Sequence, residues 1–157
     1  AFGAAQPVVP VSTLAALALA ANPTHASVVP LLDARRGELY AAAYAGGDVG
    51  AASLGEGVYG IDALCERIAT PCVLVGEGVA FAGAAIAAAL GAGVTQLPPP
   101  EGRARAWHVG RLAAEQIALG AGIDPAQLAP RYLRRAEAEA RRTGQRFEPA
   151  PRALEPR

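Results

Sequence analysis

A chain of 157 residues, 52% of them apolar, is long and hydrophobic enough to fold around a core. The formal net charge is zero, which argues against a strong stand-alone RNA-binding protein, because phosphate neutralisation dominates such affinity. All 14 basic residues are arginine. This excludes chemistry that needs a Schiff-base lysine or the phosphate-binding lysine of a P-loop.

The sequence contains two cysteines, Cys65 and Cys72. They are too few for a disulfide framework or a four-cysteine zinc site, and each is interpreted as a buried thiol of a cytoplasmic protein. No apolar run reaches the length needed to span a bilayer. Residues 8–21 lack the basic start of a signal peptide. We therefore expect a cytoplasmic protein that does not enter the membrane.

The predicted elements begin with a short apolar run at residues 8–11, which favours a buried strand. A helix is predicted at residues 14–21, because Ser12 or Thr13 can cap its start. Asn22-Pro23 would end that helix, since the pair is typical of a turn.

A β-hairpin is predicted next. Residues 28–33 form its first strand, and residues 38–45 alternate with the period of two that is typical of a strand. The short connection contains Gly37, which can adopt a left-handed conformation. Pro30 cannot donate a backbone hydrogen bond, so one side of the first strand is expected to be free there. A weaker strand is expected at residues 49–54.

The second half of the chain alternates helices and strands. Asp62 can cap a short helix at residues 63–69. The further predicted elements are a strand at 72–75, a helix at 81–90 ended by Gly91, a strand at 94–97 and the longest helix at 103–119.

The longest helix is expected to be two-sided. Its apolar face contains Ala106, Val109, Ala113 and Ile117, and its polar face contains His108, Arg111 and Glu115. Trp107 lies next to the apolar side and is interpreted as a core residue or a contact to another lobe.

The mixed order of strands and helices indicates an α/β domain with a mixed sheet flanked by helices. Residues 134–142 place acids and bases at helical spacing, which favours a solvated helix. A loose tail rich in proline and charge is expected after Gly144.

Glycine pairs and histidines are the first candidates for a ligand site. Gly55-Glu56-Gly57 and Gly76-Glu77-Gly78 are interpreted as turns, because neither follows the dinucleotide-binding pattern and their acids would repel phosphate. His25 and His108 have no carboxylate at ligand spacing. Ser12, Ser27 and Ser53 lack the context of a nucleophile. We expect no cofactor and no metal.

The hairpin carries the densest charged group of the chain: Asp33, Arg35, Arg36 and Glu38. One interpretation is a solvated loop with a local ion pair. The other is a contact surface for a partner or RNA, because a rigid hairpin presents planar guanidinium groups well.

A second candidate contact is Tyr132-Leu133-Arg134. In one interpretation it is a terminal anchor, in which Tyr132 and Leu133 pack while Arg134 stays in water. In the other it contacts a partner.

Several segments, in this order, resemble the TsaB (YeaZ) family. They are Pro10-Val11-Ser12-Thr13-Leu14 with the alanine-rich residues after it, Leu32-Asp33-Ala34-Arg35-Arg36-Gly37-Glu38-Leu39-Tyr40-Ala41, Val73-Leu74-Val75-Gly76-Glu77-Gly78, and Pro130-Arg131-Tyr132-Leu133-Arg134. The hairpin segment is the most specific of them, and the resemblance spans about residues 1–135.

The resemblance implies the C-terminal lobe of an actin-like fold of the sugar-kinase and heat-shock-ATPase type. Residues 1–22 would be the end of an N-lobe helix with an inter-lobe strand and helix, residues 23–135 the lobe, and residues 136–157 the tail. The family's Asp-Thr-Ser and Gly-Pro-Gly-Ser-Phe-Thr-Gly motifs are not in this sequence. Residues 1–5 read as the last turn of a longer helix, so the chain is expected to be truncated.

The resemblance also implies a function. TsaB binds and activates TsaD, which with TsaE and TsaC places threonylcarbamoyladenosine on tRNA. We therefore expect a non-catalytic subunit with TsaD as direct partner, TsaE in the same complex and tRNA contacted only indirectly. A homodimer would form through the N-terminal lobe. The alternatives are a glycoprotease-like metallopeptidase, an ATP-binding actin-like enzyme, or a scaffold domain unrelated to tRNA.

Overall fold

The computed structural model describes residues 6–21, 26–50, 52–135, 137–144 and 147. The helices are α1 (Thr13–Ala21), α2 (Ile61–Cys65), α3 (Gly78–Leu90), α4 (Ala106–Ala118) and α5 (Glu137–Thr143). The strands are β1 (Ser27–Asp33), β2 (Glu38–Tyr44), β3 (Ala52–Gly60), β4 (Cys72–Val75) and β5 (Val94–Leu97). Among the described helices, none has the length and apolar character to cross a membrane.

The strands form one five-stranded sheet in the order β3-β2-β1-β4-β5. β1 pairs antiparallel with β2, and β2 antiparallel with β3. β4 is parallel to both β1 and β5. The mixed sheet with its flanking helices confirms the predicted α/β class.

Two apolar clusters cover the two faces of the sheet. The first joins β1, β2 and β4 to α2 and α3 through residues such as Leu31, Leu64 and Ile86. The second joins the opposite face to α1 through Leu14, Leu17 and related residues. α4 packs against α1 on this second side.

The predicted hairpin is confirmed, with an unusual turn. Arg35, Arg36 and Gly37 all have positive φ, at 64°, 57° and 77°. The backbone N–H of Arg35 donates to Oδ1 of Asp33 at 2.7 Å, and that of Ala34 to the carbonyl of Glu38 at 2.9 Å. Two non-glycine residues are thus held in a conformation that L residues rarely adopt.

β1 is unpaired at Pro30 on the side towards β2, as its sequence predicted, although it is not an edge strand. β1 is the middle strand of the sheet, and Pro30 pairs with Val75 of β4. Towards β2 the register pairs Val28 with Tyr44 and resumes at Leu31 with Ala41. The β1–β2 ladder is therefore interrupted at Pro30, which has no N–H to donate, and continues on both sides of it.

The predicted strand at residues 8–11 is wrong, and the strand predicted at residues 49–54 is present with different bounds. Residues 8–11 form only an isolated bridge, in which Val8 and Ile123 exchange backbone hydrogen bonds of 2.9 Å. Prolines at positions 7 and 10 remove donors on both sides of that bridge. The third strand lies at Ala52–Gly60 rather than residues 49–54, and it includes Gly55-Glu56-Gly57. An edge strand with register shifts accommodates these glycines, so this segment is not a turn.

The start of α2 also differs from the prediction. Gly60 is the N-cap and Asp62 lies inside the first turn without a capping hydrogen bond. By contrast, Ser12 caps α1 as predicted, because its Oγ accepts from the N–H groups of Leu14 at 3.1 Å and Ala15 at 3.2 Å. Gly76-Glu77-Gly78 forms the predicted turn between β4 and α3.

The predicted faces of α4 are wrong at the residues that decide its packing. His108 and Leu112 are buried, whereas Trp107 is 57% and Ile117 56% exposed. Nδ1 of His108 accepts from the N–H of Arg105 at 2.9 Å, which gives this nitrogen of the buried ring a partner. The interpretation of Trp107 as a core residue is therefore wrong.

Four sequence expectations lie outside the described residues. They concern the helix ending at residues 1–5, the turn at Asn22-Pro23, the loop histidine His25, and the tail except Phe147.

Candidate interaction surface

The charged hairpin contains the local ion pair that its sequence predicted. Nη1 of Arg35 lies 3.1 Å from Oδ2 of Asp33, and the two side chains are 86% and 32% exposed. A pair this exposed stabilises the fold little. Its chief effect is to hold the Arg35 guanidinium at the tip of the hairpin.

Glu38 has a different and more distant partner. Its Oε2 accepts from Nη2 of Arg134, and the side chains are only 20% and 21% exposed. The structure thus joins the two candidate contact segments of the sequence into one surface. The prediction that Arg134 stays in water is wrong.

Tyr132 also differs from the anchor predicted for it, since it is 69% exposed. The arginines on either side explain this orientation. Arg131 and Arg134 both reach carboxylates on the sheet, and Tyr132, between them, points outward. We call residues 128–135 the C-terminal strap.

Glu56 is the acid on β3 that sequence reasoning missed. Its carboxylate accepts from Nη1 of Arg131 at 2.7 Å, from the hydroxyl of Tyr44 at 3.1 Å and from Oγ of Ser12. It therefore links the strap, the end of β2 and the start of α1. The sequence feature that marks Glu56 is an acid between two glycines, and that pattern favours a turn over a strand.

Tyr44 is the most perturbed titratable group of this cluster. Burial raises the pKa of its hydroxyl, and the negative charge and hydrogen bond of Glu56 raise it further. The hydroxyl consequently remains a neutral donor to Glu56 across the physiological pH range.

The raised pKa of Tyr44 predicts a loss of stability in alkali. The unfolded chain releases this proton near the ordinary tyrosine pKa of about 10, while the folded protein retains it. The free energy of unfolding should therefore be insensitive to this group below about pH 10 and fall as the pH rises above it. Urea unfolding at several alkaline pH values should show a shallower fall for Tyr44→Phe.

Part of the slope should remain in that variant, because burial also raises the pKa of Tyr59. An unchanged slope in Tyr44→Phe would contradict the assignment to Tyr44.

The candidate nucleophiles have structural partners. Oγ of Ser27 donates to the carbonyl of Tyr44 at 3.4 Å, and Oγ of Ser53 to that of Ala43 at 3.2 Å. Cys72 is buried, as predicted, whereas Cys65 is only half-buried. Desolvation raises the pKa of both thiols, which disfavours their thiolates. Within the described ranges, no three His, Cys, Asp or Glu side chains are grouped to hold a metal ion.

Comparison with known proteins gives the relationships of this chain. The family model described as "TsaD: tRNA N6-adenosine threonylcarbamoyltransferase" matches residues 1–142. No curated protein matches the chain.

Two solved structures from Pseudomonas aeruginosa are similar to the chain. One is described as YeaZ, with 25% identity and a TM-score of 0.61 over 84% of this chain and 62% of the other. The second is an uncharacterized protein with similarity to peptidase YEAZ, with 26% identity and a TM-score of 0.59 over 85% and 62%. The chain thus spans less than two thirds of the length of either.

The likeness to YeaZ confirms the expected actin-like fold class, with its mixed sheet flanked by helices. The chain belongs to the family described as TsaD, tRNA N6-adenosine threonylcarbamoyltransferase, and is a TsaB/YeaZ-like protein within it.

Proposed function

We propose that this chain takes part in forming threonylcarbamoyladenosine on tRNA, in the cytoplasm, as a non-catalytic subunit that binds and activates TsaD. The observation that carries the proposal is the likeness to YeaZ within a family described by a tRNA-modifying transferase. TsaE would join the same complex, and tRNA would be contacted through TsaD. A homodimer is a further proposal.

The hairpin tip and the strap offer one continuous contact surface for TsaD. The Glu38–Arg134 pair joins the strap to the hairpin, whose turn carries Arg35 and Arg36. Tyr132 is 69% exposed, and tyrosine is among the residues that contribute most to protein interfaces. The ion pairs around it would reduce the entropy lost on binding.

Binding to the cognate TsaD tests this surface. Tyr132→Ala is expected to weaken the complex about tenfold, as loss of a moderate interface hot spot does. Leu119→Ala is the matched control, because Leu119 is 86% exposed at the end of α4 and outside this surface. Titration calorimetry with the purified proteins would measure both. Equal affinities for the two variants would place the interface elsewhere.

The role itself needs a separate measurement. Removing the gene should reduce the threonylcarbamoyladenosine content of tRNA, measured by mass spectrometry of digested nucleosides, and restoring it should recover the modification. Unchanged modification together with no binding to TsaD would refute the proposed function.

An enzymatic role is the second candidate. It is favoured by the family description, which names a transferase, and by the word peptidase in the description of one similar structure. Metal analysis and ATP binding of the purified protein would test it. Stoichiometric metal, or turnover abolished by one substitution, would support this alternative over the non-catalytic role.

A further inference from the structure

Two arginine–glutamate ion pairs attach the strap to the sheet. Arg131 pairs with Glu56 on β3, and Arg134 pairs with Glu38 at the start of β2. Glu38 lies opposite Gly60 in the register, so the two acids are about 13 Å apart along β3, at roughly 3.3 Å per residue. The two arginines are three residue steps apart, which cover at most about 10 Å of chain, and their long side chains span the difference.

Both acids point to the same face of the sheet. Tyr40 pairs with Val58, and alternate residues of each strand share a face, so Glu38 and Tyr40 lie with Glu56 and Val58. Tyr40 and Val58 are half-buried between the two acids. The line from Arg131 to Arg134 passes over them.

Apolar burial contributes little to this attachment. Leu128 is 50% and Tyr132 69% exposed, and Leu133 is half-buried. The carboxylates are much better shielded, with Glu56 15% and Glu38 20% exposed. Shielded charge pairs are stronger than fully exposed ones, so the two pairs are the main ties.

Closure of the strap also has a cost. Nε of Arg134 is buried and has no hydrogen-bond acceptor among the described residues. A buried donor without a partner destabilises the state that buries it, and an open strap would return this donor to water. The balance between closed and open is therefore set by a few polar contacts.

We propose that the strap, residues 128–135, opens and closes as one unit over the Tyr40–Val58 face, and that the Arg131–Glu56 and Arg134–Glu38 pairs hold it closed. Opening uncovers these two side chains and separates Arg131 from the carboxylate of Glu56. That carboxylate also accepts from Ser12 and Tyr44. The strap is thus a conformational device that ties the C-terminal segment to the start of α1. It does not depend on the proposed function.

Limited trypsin digestion tests the strap directly, because Arg131 is itself a cleavage site. A guanidinium paired with Glu56 is withheld from the protease, and cleavage follows the population of the open form. Cleavage after Arg131 is measured by mass spectrometry relative to cleavage after Arg35, whose side chain is 86% exposed.

The decisive variant is Glu38→Gln, which removes the partner of Arg134 and leaves the Arg131–Glu56 pair intact. A strap that moves as one unit should then show about tenfold faster relative cleavage after Arg131. Exchanging the charges, Glu38→Arg with Arg134→Glu, should bring the rate back towards that of the unchanged protein. Glu115→Gln is the matched control, since it removes the partner of Arg111 on α4 and should have no effect.

Unchanged relative cleavage in a folded Glu38→Gln variant would overturn the proposal, because the two pairs would then be independent. If that variant fails to fold, the unchanged protein decides the question. Raising NaCl from about 0.1 M to 1 M, which shortens the screening length to about 3 Å, should increase relative cleavage after Arg131. A ratio that does not respond to salt would refute the electrostatic attachment.

Discussion

Leu31→Ala is expected to lower the free energy of unfolding by about 3–4 kcal/mol, the range seen when a fully buried leucine is truncated. Leu31 is 0% exposed and lies on the middle strand of the sheet. Rigid elements surround it, because the turn at Gly76 and the start of α3 at Gly78 lie against its backbone. The cavity left by the substitution therefore cannot collapse.

Leu119→Ala is the matched control, since Leu119 is 86% exposed and should change stability by less than about 0.5 kcal/mol. Urea unfolding followed by circular dichroism measures both variants. A loss below about 1 kcal/mol for Leu31→Ala would mean that the neighbouring helices move in to fill the space.

Elements with a strong local signal were predictable from the sequence. The hairpin, β4 at Cys72–Val75 and β5 at Val94–Leu97 lie where the apolar runs and turn residues indicated. α3 ends at Leu90, before Gly91, as predicted. In each case neighbouring residues supply both the element and its boundary, so no distant partner is needed to define it.

Features that depend on a distant partner were not predictable. The central position of β1 depends on pairing with β4, despite the donor missing at Pro30. The contact between α4 and α1 decides which face of α4 is buried. His108 lies on the buried face, and Ile117 lies on the exposed one. Periodicity alone identified a two-sided helix but not the side that meets the rest of the protein.

The same distinction applies to the candidate surface. The Asp33–Arg35 pair joins neighbours on one turn, and the sequence predicted it. The Glu56–Arg131 and Glu38–Arg134 bonds join residues 75 and 96 positions apart. Charge pattern gives no information about pairing over such separations, so the strap became visible only in the fold.

Gly78→Ala is expected to destabilise the protein by about 2 kcal/mol, as overpacking does. Gly78 is the first residue of α3, and a Cβ there would lie 2.8 Å from both the carbonyl carbon and Cβ of Leu31. Gly110→Ala is the matched control, because a Cβ on that residue of α4 meets nothing within 4 Å. The control should stabilise by about 0.5–1 kcal/mol, since alanine favours a helix over glycine.

Combining Gly78→Ala with Leu31→Ala separates two explanations of the cost. The atoms that a new Cβ at position 78 would meet belong to the backbone and Cβ of Leu31, and alanine at position 31 retains all of them. The double variant should therefore be less stable than either single variant, because alanine at position 31 leaves the clash in place. Recovery of stability in the double variant would show instead that the outer part of the Leu31 side chain causes the clash, and that α3 can move once it is removed.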